Sequence, residues 1–359
     1  MLPHLCRNHE LDLTVFNLKW NIKYDYDCPY EEASRIVDTE RSIHIDGRAG
    51  TGKTFLVNLI IDELKSRDKN YICFSPTNKG ALLIKGNTIH SVYYKFKSCK
   101  KVLFSKLEKV DYIFIDEVSM MIKDFYQLFI LIKRSFPKMN FIIAGDFGQL
   151  PPVNDDWIGD YENSPAMHGL CDGNKTQLLI CRRADKELFE LCKNVEDIDI
   201  KDYPIIEDTY INLAYTHDTR KKVNDKCMKR YMMNKTGVCI KKDPLNPKTQ
   251  DITVCAGMPI IAHKTNKGMN ILNSQQFIIH SIVRDDVMIM IGDELWDISI
   301  HRFHKYFYLG FCITIHASQG ETIEGKYTIY DWKFNRFCSK AKYVALSRGT
   351  NIKNIQIVA

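Results

Sequence analysis

Ser42-Ile-His-Ile-Asp46, followed at once by Gly47-Arg-Ala-Gly-Thr-Gly-Lys-Thr54, decides the fold of this chain. A short β-rich run leads into the pattern G-x-x-x-x-G-K-[ST], and from Thr54 to Arg67 the residues Leu56, Leu59, Ile60 and Leu64 recur at helical spacing. Strand, glycine loop and helix in that order turn the pattern into evidence for a phosphate cradle. Glycine permits the backbone angles that point successive N–H groups inward, and the helix start adds partial positive charge. Gly47, Ala49, Gly50, Thr51, Gly52, Lys53 and Thr54 are therefore the candidate nucleotide-binding residues. Lys53 is expected to reach the β- and γ-phosphates of ATP, and the Thr54 hydroxyl to ligate Mg2+.

Working outward, the apolar runs Tyr71 to Ser75, Tyr112 to Asp116 and Phe141 to Gly145 alternate with helix-length segments. Continuous apolar runs suit parallel strands covered on both faces, so a doubly wound α/β domain over about residues 40 to 165 follows. Tyr112-Ile-Phe-Ile-Asp-Glu117 ends such a strand in two carboxylates at the sheet edge where α/β ligands bind. Alone, that pair reads as a solvated strand end. Beside a P-loop, Asp116 becomes the Mg2+ ligand and Glu117 the general base for an attacking water. Gln149 closes Gly145-Asp-Phe-Gly-Gln149 after the next strand, where its amide can sense phosphate.

Composition bounds the rest. The chain has 359 residues, 45% apolar and 26% charged, which is ordinary for a globular protein with room for two α/β cores. Neither an apolar run of membrane-spanning length nor a signal-peptide core is found, so an intracellular protein without membrane association is expected. The net charge of +6 is spread along the chain and favours a polyanionic partner without demanding one. Twelve cysteines show no C-x-x-C pair, and His168 with Cys171 has no second pair to complete a metal site. No metal cluster is expected.

The second half reads as further strands at Leu178 to Cys181, Tyr210 to Ala214, Tyr327 to Tyr330, Tyr343 to Leu346 and Ile355 to Val358. Between about 250 and 308 short strands separated by turn signals, Met258 to His263, Gln276 to Val283, Val287 to Met290 and Glu294 to Ile298, predict a small antiparallel barrel inserted there. Residues 1 to 40 show no clear periodicity.

Several motifs then occur in a familiar order. After the P-loop come Phe74-Ser-Pro-Thr-Asn-Lys-Gly-Ala81 with Gly86-Asn-Thr-Ile-His-Ser91, then Ile115-Asp-Glu-Val-Ser-Met120 and Gly145-Asp-Phe-Gly-Gln-Leu-Pro-Pro152. Cys181-Arg-Arg-Ala-Asp185, Thr314-Ile-His-Ala-Ser-Gln-Gly-Glu321 and Tyr343-Val-Ala-Leu-Ser-Arg348 complete the set. From about Ile43 to Ile357 the chain resembles the superfamily-one helicases of the RecD-like and petite-integration-frequency type, in a compact form similar to those of large DNA viruses and phages.

The resemblance implies two RecA-like P-loop domains with parallel sheets, the second carrying a small SH3-like antiparallel insertion. Residues 1–40 are then an N-terminal segment of unknown role, 41–168 the first domain, 169–249 and 309–359 the second, and 250–308 the insertion. It also implies ATP-dependent translocation 5′ to 3′ along single-stranded DNA and unwinding at duplex junctions, as ATP is hydrolysed between the two domains. Other replication or repair proteins would be further partners.

By the same resemblance Arg348 is the arginine finger, and Arg182 or its neighbour Arg183 completes the charge clamp. Gln319, Gly320 and Glu321 touch the nucleotide and couple it to the strand. Thr77, His90, Thr314, His316 and Ser318 contact the strand, in keeping with the ability of hydroxyls and imidazoles to bond phosphate oxygens without base preference. Lys264, Lys267 and Arg284 of the insertion face phosphates or are ordinary turn residues. The basic run Thr219 to Arg230 reads first as a solvated helix face, and Trp157 and Tyr161 first as packing residues. One departure stands out: no glutamine precedes the P-loop where relatives recognise adenine, which opens the choice among nucleoside triphosphates. Two alternatives remain, an RNA helicase of viral replicase type and a catalytically inactive nucleic-acid-binding or regulatory module.

Overall fold

The computed structural model describes residues 18–25, 27–152 and 159–359; Trp157 lies outside them, as do the first 17 residues and the side chain of Lys267. The chain divides into two compact units, Met1–Arg182 and Arg183–Ala359.

In the first unit the elements run β1 (Asn21–Asp25), α1 (Pro29–Thr39), β2 (Ile43–Gly47), α2 (Lys53–Ser66), β3 (Tyr71–Ser75), α3 (Asn78–Leu83) and β4 (Asn87–Thr88). They continue as α4 (Ile89–Ser98), α5 (Lys100–Leu107), β5 (Tyr112–Ile115), α6 (Lys123–Ser135), β6 (Asn140–Gly145), α7 (Pro165–Leu170) and β7 (Asn174–Leu178). The seven strands pair in parallel in the order β1-β7-β2-β6-β5-β3-β4.

Successive strand residues point to opposite faces, so an unbroken apolar run feeds two cores at once. Along β5, Ile113 and Ile115 join Phe125 and Phe129 of α6 on one face. Tyr112 and Phe114 join Ile36 of α1 and Leu56 and Ile60 of α2 on the other. β6 alternates the same way, with Phe141 and Ile143 on the α6 face and Ile142 and Ala144 against α2. The carboxyl ends of β2, β5 and β6 thereby bring the P-loop, the acidic pair and Gln149 to one edge.

In the second unit the elements are α8 (Lys186–Leu191), β8 (Asn212–Ala214), α9 (His217–Tyr231), β9 (Val238–Ile240), β10 (Ile252–Val254), β11 (Pro259–Ala262), β12 (Gln276–Val283) and β13 (Asp286–Ile291). Then come β14 (Glu294–Ser299), α10 (Ile300–Tyr306), β15 (Phe307–Leu309), β16 (Cys312–Thr314), β17 (Tyr327–Ile329), α11 (Ser339–Leu346) and β18 (Ile355–Ile357). A four-stranded parallel sheet has the order β16-β8-β17-β18, and a five-stranded antiparallel sheet the order β14-β13-β12-β11-β15.

The structure departs from the sequence reading in four places. Of the strand expected at Leu178 to Cys181 only Leu178 lies in one: the strand is β7, Asn174–Leu178, and it pairs with β1 and β2 of the first unit, so that unit ends at Arg182 rather than 168. Its Lys175, Thr176 and Gln177 are polar and hide it from an apolar scan, yet Lys175 and Thr176 are buried. Residues 1–40 contribute β1 and α1; Ala33, Ile36 and Val37 of α1 pack in one apolar cluster with α2, and Tyr30 meets Phe55 edge to face, a stripe too short to show a period. Tyr343 to Leu346, expected as a strand, ends α11, whose last residues are all buried, and a helix buried all round carries no amphipathic signal. The inserted segment forms a sheet rather than a barrel with its own core. Its Ile260, Ile279, Val287 and Ile298 share one apolar cluster with Val223, Cys227 and Met228 of α9.

No helix of the described residues is long and apolar enough to cross a membrane. Nor do the described residues contain a group of three or more His, Cys, Asp or Glu able to hold a metal ion.

Candidate nucleotide site and strand-binding surface

The loop between β2 and α2 turns on two left-handed residues, Gly50 at φ 84° and Gly52 at φ 92°. A side chain at either position would be strained, and a Cβ on Gly52 would also lie 3.3 Å from Cδ of Arg182. Gly52 is the N-cap of α2, so the free N–H groups of that helix's first turn face the loop. The Lys53 ammonium donates to the carbonyl oxygens of Gly47 at 2.6 Å and Arg48 at 3.1 Å, holding it over the cradle.

Thr54 Oγ1 donates to Asp116 Oδ2 at 3.2 Å, joining α2 to the end of β5. Asp116 is buried, which pushes its carboxyl above the usual range, while the bond from the Glu117 N–H, the Lys53 charge and the Thr54 hydroxyl pull it back. Glu117 itself adopts φ 57°. A left-handed glutamate costs about 1–3 kcal/mol and is a conformation met at functional sites. Gln149 is buried, its side-chain amide donating to Asp146 Oδ2 at 3.3 Å, and Asp146 also accepts from the Gly148 N–H.

Beneath the loop lies a charged cluster that the sequence reading did not single out. Asp46 Oδ1 accepts from the Gly47 N–H at 2.7 Å, and Lys175 of β7 stands 3.8 Å from Asp46 and 2.5 Å from Glu162. Burial, reinforced by the nearby Glu162 and Asp146 charges, pushes Asp46 up to about 6, against the pull of Lys175 and Lys53. No linear pattern carries this group, because its members come from β2, β7 and the segment between β6 and α7.

Arg182, expected to reach in from the second domain, belongs to the first unit. Its N–H donates to Gly50 O at 2.8 Å and its guanidinium pairs with Asp27, so it is bonded to the phosphate loop itself. Arg183 lies in the second unit, where its Nη1 donates to Ser347 O. Arg348 is 1% exposed there, and its guanidinium donates to Val344 O, Glu321 O and Ser347 Oγ. The last motif and Glu321 are thus brought together; Gly320 beside it turns at φ 77°, and Gln319 is buried.

The strand-contact candidates divide by exposure. Thr77 caps α3, its Oγ1 accepting from the Gly80 N–H at 3.0 Å, so part of its role is structural. His90 is exposed, packed edge-on against Phe125. Thr314 closes β16, and its Oγ1 accepts from the Ala317 N–H. Ser318 is fully buried and donates to Ile315 O, so it is not a surface contact, whereas His316 is exposed. On α9 much of the basic charge is already paired: Lys226 and Arg230 with Asp208, Lys221 with Asp218, Lys229 with Asp225. One side of that helix is solvated, while Val223, Cys227 and Met228 are buried on the other. Tyr161 is a packing residue, stacked on Tyr126 at 4.7 Å.

The family described as PIF1-like helicase matches residues 30–158. A curated relative, the ATP-dependent DNA helicase Pif1 of Campylobacter jejuni, is 24% identical in a match covering 88% of each chain. Among solved structures, Bacteroides Pif1 bound to ssDNA is 19% identical, with a TM-score of 0.65 over 93% of this chain and 92% of that one. Bacteroides Pif1 in complex with ADP-AlF3 and ssDNA has a TM-score of 0.62 at 19% identity, covering 91% of both. The likeness to these structures establishes the shared fold.

Proposed function

We propose that this chain, which is of the PIF1-like helicase type, is an ATP-dependent DNA helicase that moves 5′ to 3′ on single-stranded DNA and opens duplex junctions. One observation carries the reading: Thr54 and Asp116, from separate elements, meet at the mouth of a glycine loop with Lys53 beside them. A hydroxyl and a carboxylate form a hard oxygen donor set, which fits Mg2+. When bound, that ion supplies charge neutralisation at the β- and γ-phosphates.

The chain's own residues do the rest. The loop N–H groups and Lys53 bind the phosphates, and Glu117 takes the proton of the attacking water. Gln149 orients that water, and its amide is held by Asp146. Arg182, anchored on Gly50 and Asp27, adds positive charge beside the loop, and Arg348 with Gln319, Gly320 and Glu321 forms the second unit's contribution to hydrolysis. His90, Thr314 and His316 contact the strand, with Thr77 and Ser318 supporting them. Relatives named as DNA helicases, and one solved with both ssDNA and a nucleotide analogue, support this assignment.

ATP turnover measured without polymer, with single-stranded DNA and with single-stranded RNA tests it. Stimulation by DNA is expected. Stimulation by RNA alone would move the chain to the RNA helicases, and stimulation by neither would end the motor reading. Unwinding of a duplex with a 5′ tail but not a 3′ tail checks the polarity.

A further inference from the structure

Beyond the contacts named so far, the second unit carries an aromatic surface at the carboxyl ends of β8, β16 and β17. Tyr215 directly follows β8. Its ring stacks on Phe337 with centroids 5.1 Å apart and planes 19° from parallel. Phe334 lies 5.8 Å from Tyr215 on one side and His316 lies 6.4 Å away on another. Beneath them Phe337 is buried and meets buried Trp332 edge to face at 5.5 Å.

Local hydrogen bonds tie the plate together. Asp331, at φ 66°, accepts from the N–H groups of Tyr215 at 3.0 Å and Thr216 at 2.8 Å and from the Thr219 hydroxyl at 2.5 Å. Two successive turns then fix the backbone that carries Phe334 and Phe337: the Phe334 N–H donates to Asp331 O, and the Phe337 N–H to Phe334 O, each at 2.8 Å. One carboxylate thus pins the loop after β8 to the loop after β17.

The upper rings meet solvent: Phe334 is 41% exposed, His316 is exposed and Tyr215 half-buried. Lys333 and Arg336 are exposed in the same turn as Phe334. Aromatic faces flanked by cations are the chemistry that takes single-stranded nucleic acid, because every base has a π-face and every linkage a negative charge. A duplex hides those faces inside its stack.

We propose that Tyr215, Phe334 and His316 form a base-stacking platform for one or two nucleotides of single-stranded DNA, with Lys333 and Arg336 holding the flanking phosphates. The proposal rests on the nucleic-acid reading above and adds to it. The strand is gripped through its bases in the second unit, besides the phosphate contact of Thr314.

Binding of the full chain to fluorescein-labelled oligo(dT) and to an abasic deoxyribose-phosphate strand of equal length separates stacking from charge. The unmodified chain is expected to prefer oligo(dT). Phe334→Ala should lose about fivefold or more in affinity for oligo(dT), the smaller end of one stacked base, and nothing on the abasic strand. Phe334→Trp should restore the preference, which a purely structural role would not. Equal loss on both strands, or no loss on oligo(dT), overturns the platform while leaving the helicase reading intact. Failure of the unmodified chain to bind either strand overturns both.

Discussion

The hydroxyl of Thr54 donates to the carboxylate of Asp116 across 3.2 Å, although 62 residues separate them in the chain. The bond ties the first turn of α2 to the end of β5, and under the proposed function these two oxygens would hold Mg2+. Removing either oxygen should be felt as a metal effect. Asp116→Ala is expected to lower turnover by about 10²-fold or more, since a metal's charge stabilisation is worth several kcal/mol. Titrating turnover against Mg2+ checks it; an unchanged Mg2+ dependence places the cation elsewhere.

Glu117, at φ 57° beside that bond, is proposed to remove a proton and not to bind the nucleotide. Glu117→Gln should therefore keep affinity for a fluorescent ATP analogue while losing about 10²- to 10⁴-fold in kcat. Loss of binding together with rate would reassign it to the cradle.

Gly52 combines φ 92° with a Cβ position 3.3 Å from Arg182 Cδ. Gly52→Ala should cost about 1–2 kcal/mol of stability, read from urea unfolding, and weaken nucleotide binding roughly tenfold as the loop shifts. A variant that matches the unmodified chain in both measurements would show the turn to be tolerant.

Asp46 is pushed up to about 6 from 3.8, chiefly by burial and then by Glu162. The folded state holds that proton more tightly than the unfolded chain does. Its stabilising contribution is complete below pH 3.8 and is lost as the pH rises through 6. Asp46→Asn keeps an acceptor for the Gly47 N–H and removes the titration. Its stability relative to the unmodified chain should improve between pH 4 and pH 8, by at most about 3 kcal/mol for a shift of this size. Urea unfolding at both pH values measures the difference, and a pH-independent difference excludes Asp46 as the titrating group.

Arg348 is buried with three acceptors around its guanidinium, so its replacement mixes structural and chemical effects. Arg348→Lys keeps the charge and loses the fork. If Arg348 serves the transition state, kcat should fall by about 10³-fold with KM for ATP little changed. A fall in thermal stability with kcat preserved would make it a structural residue.

Short-range features were legible in the order of residues alone. Gly47 to Thr54 between an apolar run and an amphipathic stripe specifies strand, cradle and helix, because backbone angles and side-chain periodicity act over a few residues. Asp116 and Glu117 were legible as a strand end for the same reason. Tertiary structure decided what depends on where distant segments meet. It placed β7 and Arg182 with the first unit, since the backbone of a polar strand pairs as well as that of an apolar one. It gathered Asp46, Glu162 and Lys175 under the loop, and Tyr215, Phe334 and His316 onto one surface, with Asp331 joining the first two. Those groupings arise from burial and from hydrogen bonds between elements far apart in the chain, and linear spacing holds no record of either.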